Sequence, residues 1–224
     1  MRPPPATQLA SPSPEEKKKY AGKDHLDKTV PSIALLTAIY KLVFWGDFLG
    51  ESAIVLAERF PSTASDTVLS LLSRSPAHAQ HVRLTPAWLA GCALLCAGSV
   101  LRLACYRTLG RFFTWYMSVQ KDHELVTSGP YSVVRHPSYL GSALIALGTA
   151  LTQFGSGSWY HECVGLDSWG SRIFVGLWGS WWVYLVSMLI SRIPAEDEVM
   201  RKEFGAEWEA WARRTPYKLI PYIY

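Results

Sequence analysis

The chain has 224 residues, 49% of them hydrophobic, with ten Trp, eleven Tyr and a formal net charge of +4. That length allows one or two soluble domains, but the apolar residues are gathered into long runs separated by polar segments. The pattern argues against an ordinary soluble protein. It points to an all-α, polytopic integral membrane protein with about four to five transmembrane helices. The four Cys, at 92, 96, 105 and 163, have no metal-ligand spacing, so no metal is expected; nor is a nucleic-acid partner. Cys92 and Cys96 lie four apart in an apolar run and read as packing residues.

Residues 1–29 are rich in Pro, Ser and Lys and lack the apolar core of a secretory signal. They are expected to form a disordered cytosolic tail, with 30–224 a single membrane-embedded domain. Val30–Trp45 and Phe48–Leu56 form either one long interrupted span or a tight hairpin. Asp47 and Glu51 inside this stretch must face protein or water. Residues 59–85 read as a polar loop in which His78 and His81 are surface residues. Pro86–Tyr106 is the next span, and Arg102 near its end is expected to snorkel to the interface. Tyr139–Phe154 and Ile173–Ile190 carry no charge and give two more spans. Lys and Arg concentrate in the tail, in 102–135 and in 192–224, and thin out in 59–85 and 155–172. The positive-inside rule therefore places the tail, the central segment and the C-terminus in the cytosol.

The central polar segment runs into the third span. Gly129-Pro130 reads as a turn, and Pro137 suits the first position of a helix because its missing N–H is an orphan there anyway. Tyr131, Arg135, His136 and Tyr139 gather at that helix start, where free N–H groups and the dipole favour an anion. Spans three and four are joined by a short connection and are expected to be antiparallel neighbours. Arg135-His136-Pro137 and Arg192-Ile193-Pro194 then meet at one bilayer surface. After Pro194 a separate interfacial helix is expected. Glu196, Asp197 and Glu198 would load its first turn, and Met200, Phe204, Trp208 and Trp211 would share one face. The acidic triplet either compensates the helix dipole or binds a cation.

Three runs carry a resemblance: Leu109–Thr114, Gln120–Tyr131 and Arg135–Tyr139. With Arg192, Glu196-Asp197, Phe204-Gly205 and the Trp208/Trp211 pair, they resemble the isoprenylcysteine carboxyl methyltransferase family over residues 86–220. The resemblance implies an endoplasmic reticulum enzyme with a cytosol-facing pocket. It would use S-adenosyl-L-methionine to methylate the C-terminal carboxylate of prenylated cysteine on CaaX-processed proteins. It also implies cofactor contacts at Gln120, His123, Glu124, Leu125, Val126, Tyr131, His136, Pro137, Ser138, Tyr139 and Glu196, and a substrate contact at Arg192. The chain departs from the family in Asp197, where a second glutamate is usual, and in Trp208 and Trp211, where tyrosines are usual.

The implied chemistry suits these residues. A carboxylate acceptor, with a reference pKa of about 3.5, is already ionised at neutral pH, so the catalytic task is alignment rather than proton removal. Arg192 would hold the acceptor carboxylate, Glu196 the cofactor ammonium, and His136 with the helix N–H groups the cofactor carboxylate. An apolar slot would take the prenyl chain. Two other readings stand: a membrane methyltransferase acting on another lipophilic acceptor, such as a phospholipid amine or a secondary-metabolite carboxylic acid, and a non-catalytic membrane scaffold.

Overall fold

The computed structural model describes residues 30–114, 119 and 122–224. The expected tail at 1–29 and the site residue Gln120 lie outside them. Among the described residues the chain is all-helical, without strands. The helices are α1 (Val30–Arg59), α2 (Thr63–Leu72), α3 (Pro76–Ala79), α4 (Pro86–Leu109), α5 (Pro137–Phe154), α6 (Trp169–Phe204) and α7 (Ala206–Arg214), with short turns of 3-10 and π helix between some of them.

Two described helical segments, Pro86–Phe112 and Trp169–Phe204, are long and apolar enough to cross a membrane. The first hydrophobic stretch is one continuous helix, which removes the hairpin alternative. The 59–85 segment is more ordered than a polar loop. Ser62 caps α2, its hydroxyl accepting from the Ser65 N–H at 3.1 Å, as short polar side chains do at helix starts.

The chain divides into two compact units, whose boundaries fall within α1, α4, α5 and α6. One unit comprises 32–97 and 144–185. Its core gathers Ile54, Ala57, Leu69, Ala79 and Cys163, with Trp159 packed against them. Trp159 donates its indole N–H to the Leu72 carbonyl at 2.8 Å. Tyr40 of α1 lies among three tryptophans of α6, stacked on Trp181 with ring centres 5.6 Å apart, and its hydroxyl donates to the Trp178 carbonyl at 3.2 Å. Here α4 and α5 approach backbone to backbone: a Cβ on Gly148 would stand 2.7 Å from the Gly91 carbonyl oxygen. Small residues at helix crossings permit this contact where lipid gives no hydrophobic drive to association.

The other unit comprises 30–31, 98–143 and 186–224 among the described residues. Its core joins Cys105, Leu125, Tyr131 and Trp211, flanked by Met200, Phe204 and Trp208. Arg102 does not simply snorkel. Its guanidinium donates to the carbonyl and hydroxyl of Ser138, each at 3.2 Å, and to Ser142 and Tyr106.

The C-terminal region departs from expectation. No separate helix begins near Pro194; α6, 36 residues long, continues through it. The break comes at Gly205, whose φ of 49° is a left-handed value that glycine adopts without a Cβ clash. Glu196, Asp197 and Glu198 are thus mid-helix, so compensation of a first-turn dipole does not explain them. Met200 and Phe204 sit on α6 while Trp208 and Trp211 sit on α7, yet all four reach the same cluster.

Candidate active site

The turn before α5 is built as the sequence suggests. Gly129–Ser132 forms a 3-10 turn, Gly129 has φ 58°, and α5 starts at Pro137. What fixes the turn is the chain's distant C-terminal segment. Arg135 donates its backbone N–H to the Tyr217 carbonyl at 2.9 Å, and His136 donates to that of Lys218 at 2.8 Å. The Arg135 guanidinium adds bonds to the carbonyls of Thr215 and Pro216, each at 3.1 Å. Trp211 donates its indole N–H to the Tyr131 carbonyl at 3.0 Å.

Against this clamped turn lies the mid-helix carboxylate pair of α6. Glu196 accepts from the Tyr139 hydroxyl at 2.6 Å and pairs with Arg192 Nε at 2.9 Å. Its second oxygen is 3.3 Å from His136 Nδ1. Asp197 takes the other side, 3.1 Å from His136 Nε2 and 3.2 Å from an Arg135 terminal nitrogen. Both imidazole nitrogens therefore face carboxylate oxygens, and a ring that donates to both is doubly protonated. Burial alone would pull the His136 pKa down, but hydrogen bonds and charge from Asp197 and Glu196 outweigh it and raise it above the usual histidine value. Three cationic and two anionic groups make a compact, nearly balanced network of little-exposed side chains.

A cavity of about 190 Å³ adjoins the network, lined by His123, Leu125, Val126, Tyr131, His136, Ser138, Tyr139, Arg192 and Glu196 among the expected site residues. Glu124 is exposed and Pro137 buried; neither is a lining residue. Phe112, Asp197, Met200 and Trp208 also line the cavity without having been singled out as ligand contacts. His123 stacks on Phe112 with ring centres 4.4 Å apart. Burial, aided by the Arg111 charge, lowers its pKa, which favours the neutral ring here, whereas the carboxylates around His136 favour its charged form.

Asp197 and Arg135 are the residues that sequence reading undervalued. Their neighbours in the chain, Glu196 and His136, were the signal; the two segments meet as their expected antiparallel spans implied, but the individual ion pairs were not visible. Among the described residues no group of His, Cys, Asp and Glu could hold a metal ion. The lining does fit a methyl donor of the sulfonium amino-acid type. It offers a partly accessible carboxylate for an ammonium, and aromatic faces against which a neutral flat ring can stack or a sulfonium cation can rest.

A family model described as phospholipid methyltransferase matches residues 87–161. The chain is 27% identical over 135 residues to protein-S-isoprenylcysteine O-methyltransferase B of Arabidopsis thaliana, covering 59% of this chain and 58% of that one. It is 30% identical over 131 residues to the protein-S-isoprenylcysteine O-methyltransferase of Schizosaccharomyces pombe, covering 57% and 48%. It is also 29% identical over 101 residues to a Delta(14)-sterol reductase of Mus musculus, covering 45% of this chain and 20% of the reductase. The chain thus spans less than two thirds of the length of these curated relatives. Over part of its length the chain is therefore similar to methyltransferases, two of the three relatives being protein-S-isoprenylcysteine O-methyltransferases.

Proposed function

We propose that this chain methylates the C-terminal carboxylate of prenylated cysteine on CaaX-processed proteins, with S-adenosyl-L-methionine as donor. We place it in the endoplasmic reticulum membrane, with α1, α4, α5 and α6 crossing and the pocket facing the cytosol. The observation that carries this reading is Arg192. It is a little-exposed guanidinium on a long apolar helix, lining a cavity beside Glu196.

Bound S-adenosyl-L-methionine supplies a methyl group activated on a sulfonium. Glu196 would hold its ammonium. Tyr139 and His136 keep the Glu196 carboxylate oriented and ionised, and neutral His123 with Phe112 offers a flat surface. Arg192 would draw the acceptor carboxylate into line by a charge-assisted, two-pronged contact. No residue has to remove a proton, because the acceptor is already an anion.

The second reading, methylation of a phospholipid amine, rests on the description of the matching family model. That acceptor is protonated at neutral pH and needs a base, a role open to neutral His123. The full chain in lipid nanodiscs, given labelled donor, decides between the readings. Base-labile methyl ester on N-acetyl-farnesylcysteine supports the first. Label confined to phosphatidylethanolamine supports the second, and label on neither overturns both.

A further inference from the structure

A second cavity, of about 540 Å³, lies wholly within the unit of 32–97 and 144–185. This is within the ~300–1,000 Å³ of small-molecule sites. Its walls are mostly apolar, with Phe44, Phe48 and Val55 from α1 and Leu95 from α4. Its polar groups are few and unusual. Asp47 and Glu51 lie one turn apart on the same side of α1, and no basic side chain pairs with either among the described residues. Glu51 has the Trp159 backbone and the Trp88 indole as neighbours, but Asp47 Oδ1 is buried without a hydrogen-bond partner.

The independent observation is Gln153, in the last turn of α5. It is 2% exposed and lines the cavity. Both ends of its carboxamide lack a partner, and its backbone carbonyl is already taken by the Ser158 hydroxyl at 2.8 Å. Buried amides are almost always hydrogen-bonded, so a donor and an acceptor stand ready beside two carboxylates in an apolar space.

We propose that this cavity binds an amphiphile whose head carries a protonated amine and an adjacent hydroxyl, a long-chain amino alcohol. The ammonium sits between Asp47 and Glu51. The hydroxyl, at once donor and acceptor, completes Gln153. The hydrocarbon chain lies along Phe44, Phe48, Val55 and Leu95. An anionic head would be repelled by these acidic groups, and a neutral lipid would offer them no cation. Water would satisfy Gln153 but fill an apolar volume poorly.

Cys92 lines the cavity, and Cys96, one turn along α4, is exposed and is not a lining residue. The full chain in neutral phosphatidylcholine nanodiscs is treated with N-ethylmaleimide, with or without sphingosine, and each cysteine is read by mass spectrometry. Sphingosine is expected to slow labelling of Cys92 by about tenfold, the effect of one charge-assisted contact, and to leave Cys96 unchanged. Hexadecanoic acid and N-acetylsphingosine, whose amine is no longer basic, should protect weakly or not at all. Protection should disappear in Asp47→Asn with Glu51→Gln and weaken in Gln153→Leu. Should the double variant fail to fold, the comparison of heads in the unmodified chain decides alone. Equal protection by all three amphiphiles, or none by sphingosine, overturns the proposal and leaves a cavity for lipid tails or water.

Discussion

Arg192 Nε lies 2.9 Å from Glu196 Oε1, one turn further along α6, and both side chains line the same cavity. The two groups proposed to hold the acceptor carboxylate and the donor ammonium therefore neutralise each other in this structure. Each ligand would take one member of the pair from the other. An ammonium arriving at Glu196 loosens its hold on Arg192, which is then freer for a carboxylate. Linkage makes the effect reciprocal, so the two ligands should bind with positive coupling.

Glu196→Gln is the direct test of the donor side. The carboxamide keeps the shape and loses the charge. Hydrogen bonds to charged groups are worth roughly 1.5–3 kcal/mol, so S-adenosyl-L-methionine affinity should fall by about tenfold to a hundredfold, measured by calorimetry on the purified chain. Unchanged affinity would confine Glu196 to its bonds with Tyr139, His136 and Arg192.

His136 gives a stability prediction with a definite sign. Its folded pKa is raised by Asp197 and Glu196 despite burial, whereas the unfolded value is about 6.5. The stability it contributes is fully present below the unfolded value and is lost as pH rises through the folded one. The melting temperature in detergent should thus fall on going alkaline from about pH 6.5, and His136→Gln should be less stable at low pH with a flatter profile. Parallel profiles for the two proteins would contradict the imidazolium assignment.

Trp211 and Trp208 should behave differently despite their similar setting. Trp211→Phe removes the donor to the Tyr131 carbonyl and leaves that acceptor without it, a loss of about 1–3 kcal/mol readable from thermal unfolding. Among the described residues the Trp208 indole N–H has no hydrogen-bond partner, so Trp208→Phe should cost less. An equal loss would show that packing rather than the Trp211 hydrogen bond decides.

Orientation in the membrane follows from charge. With Lys and Arg concentrated in 102–135 and 192–224, a C-terminal tag should be reachable after selective permeabilisation of the plasma membrane, and a tag in 155–171 should be protected. A protected C-terminus would reverse the proposed topology.

Local chemistry was legible in the sequence, and so was the meeting of the Arg135-His136 and Arg192 segments; the individual long-range pairs were not. Pro137 announced the start of α5, and Gly129-Pro130 its preceding turn, because both depend on nearest neighbours. Pro194 misled for the same reason. A proline is read as a helix start or stop, since it removes one backbone hydrogen bond and crowds the carbonyl four residues back. Here α6 runs on regardless, held along one face by ion pairs from Arg192, Glu196 and Asp197 and by the burial of Ile193 and Val199, each at most 3% exposed. The clamp of Thr215–Lys218 on Arg135 and His136 involves backbone groups some eighty residues apart. No periodicity encodes it.

The acceptor side of the pair is tested by Arg192→Lys. Lysine keeps the positive charge and loses the planar fork that can face a carboxylate with two N–H groups. It also keeps a charge near Glu196, so the donor site should survive, and calorimetry should find S-adenosyl-L-methionine affinity within a fewfold of the parent. Turnover on N-acetyl-farnesylcysteine should fall, because alignment of the carboxylate is what Arg192 contributes. A charge-assisted hydrogen bond of roughly 1.5–3 kcal/mol, at about 1.4 kcal/mol per tenfold, corresponds to a loss of about tenfold to a hundredfold in kcat/KM. Retained donor binding with that loss assigns Arg192 to the acceptor. Loss of both would place it in the donor site through Glu196, and parental efficiency would show that another group grips the carboxylate.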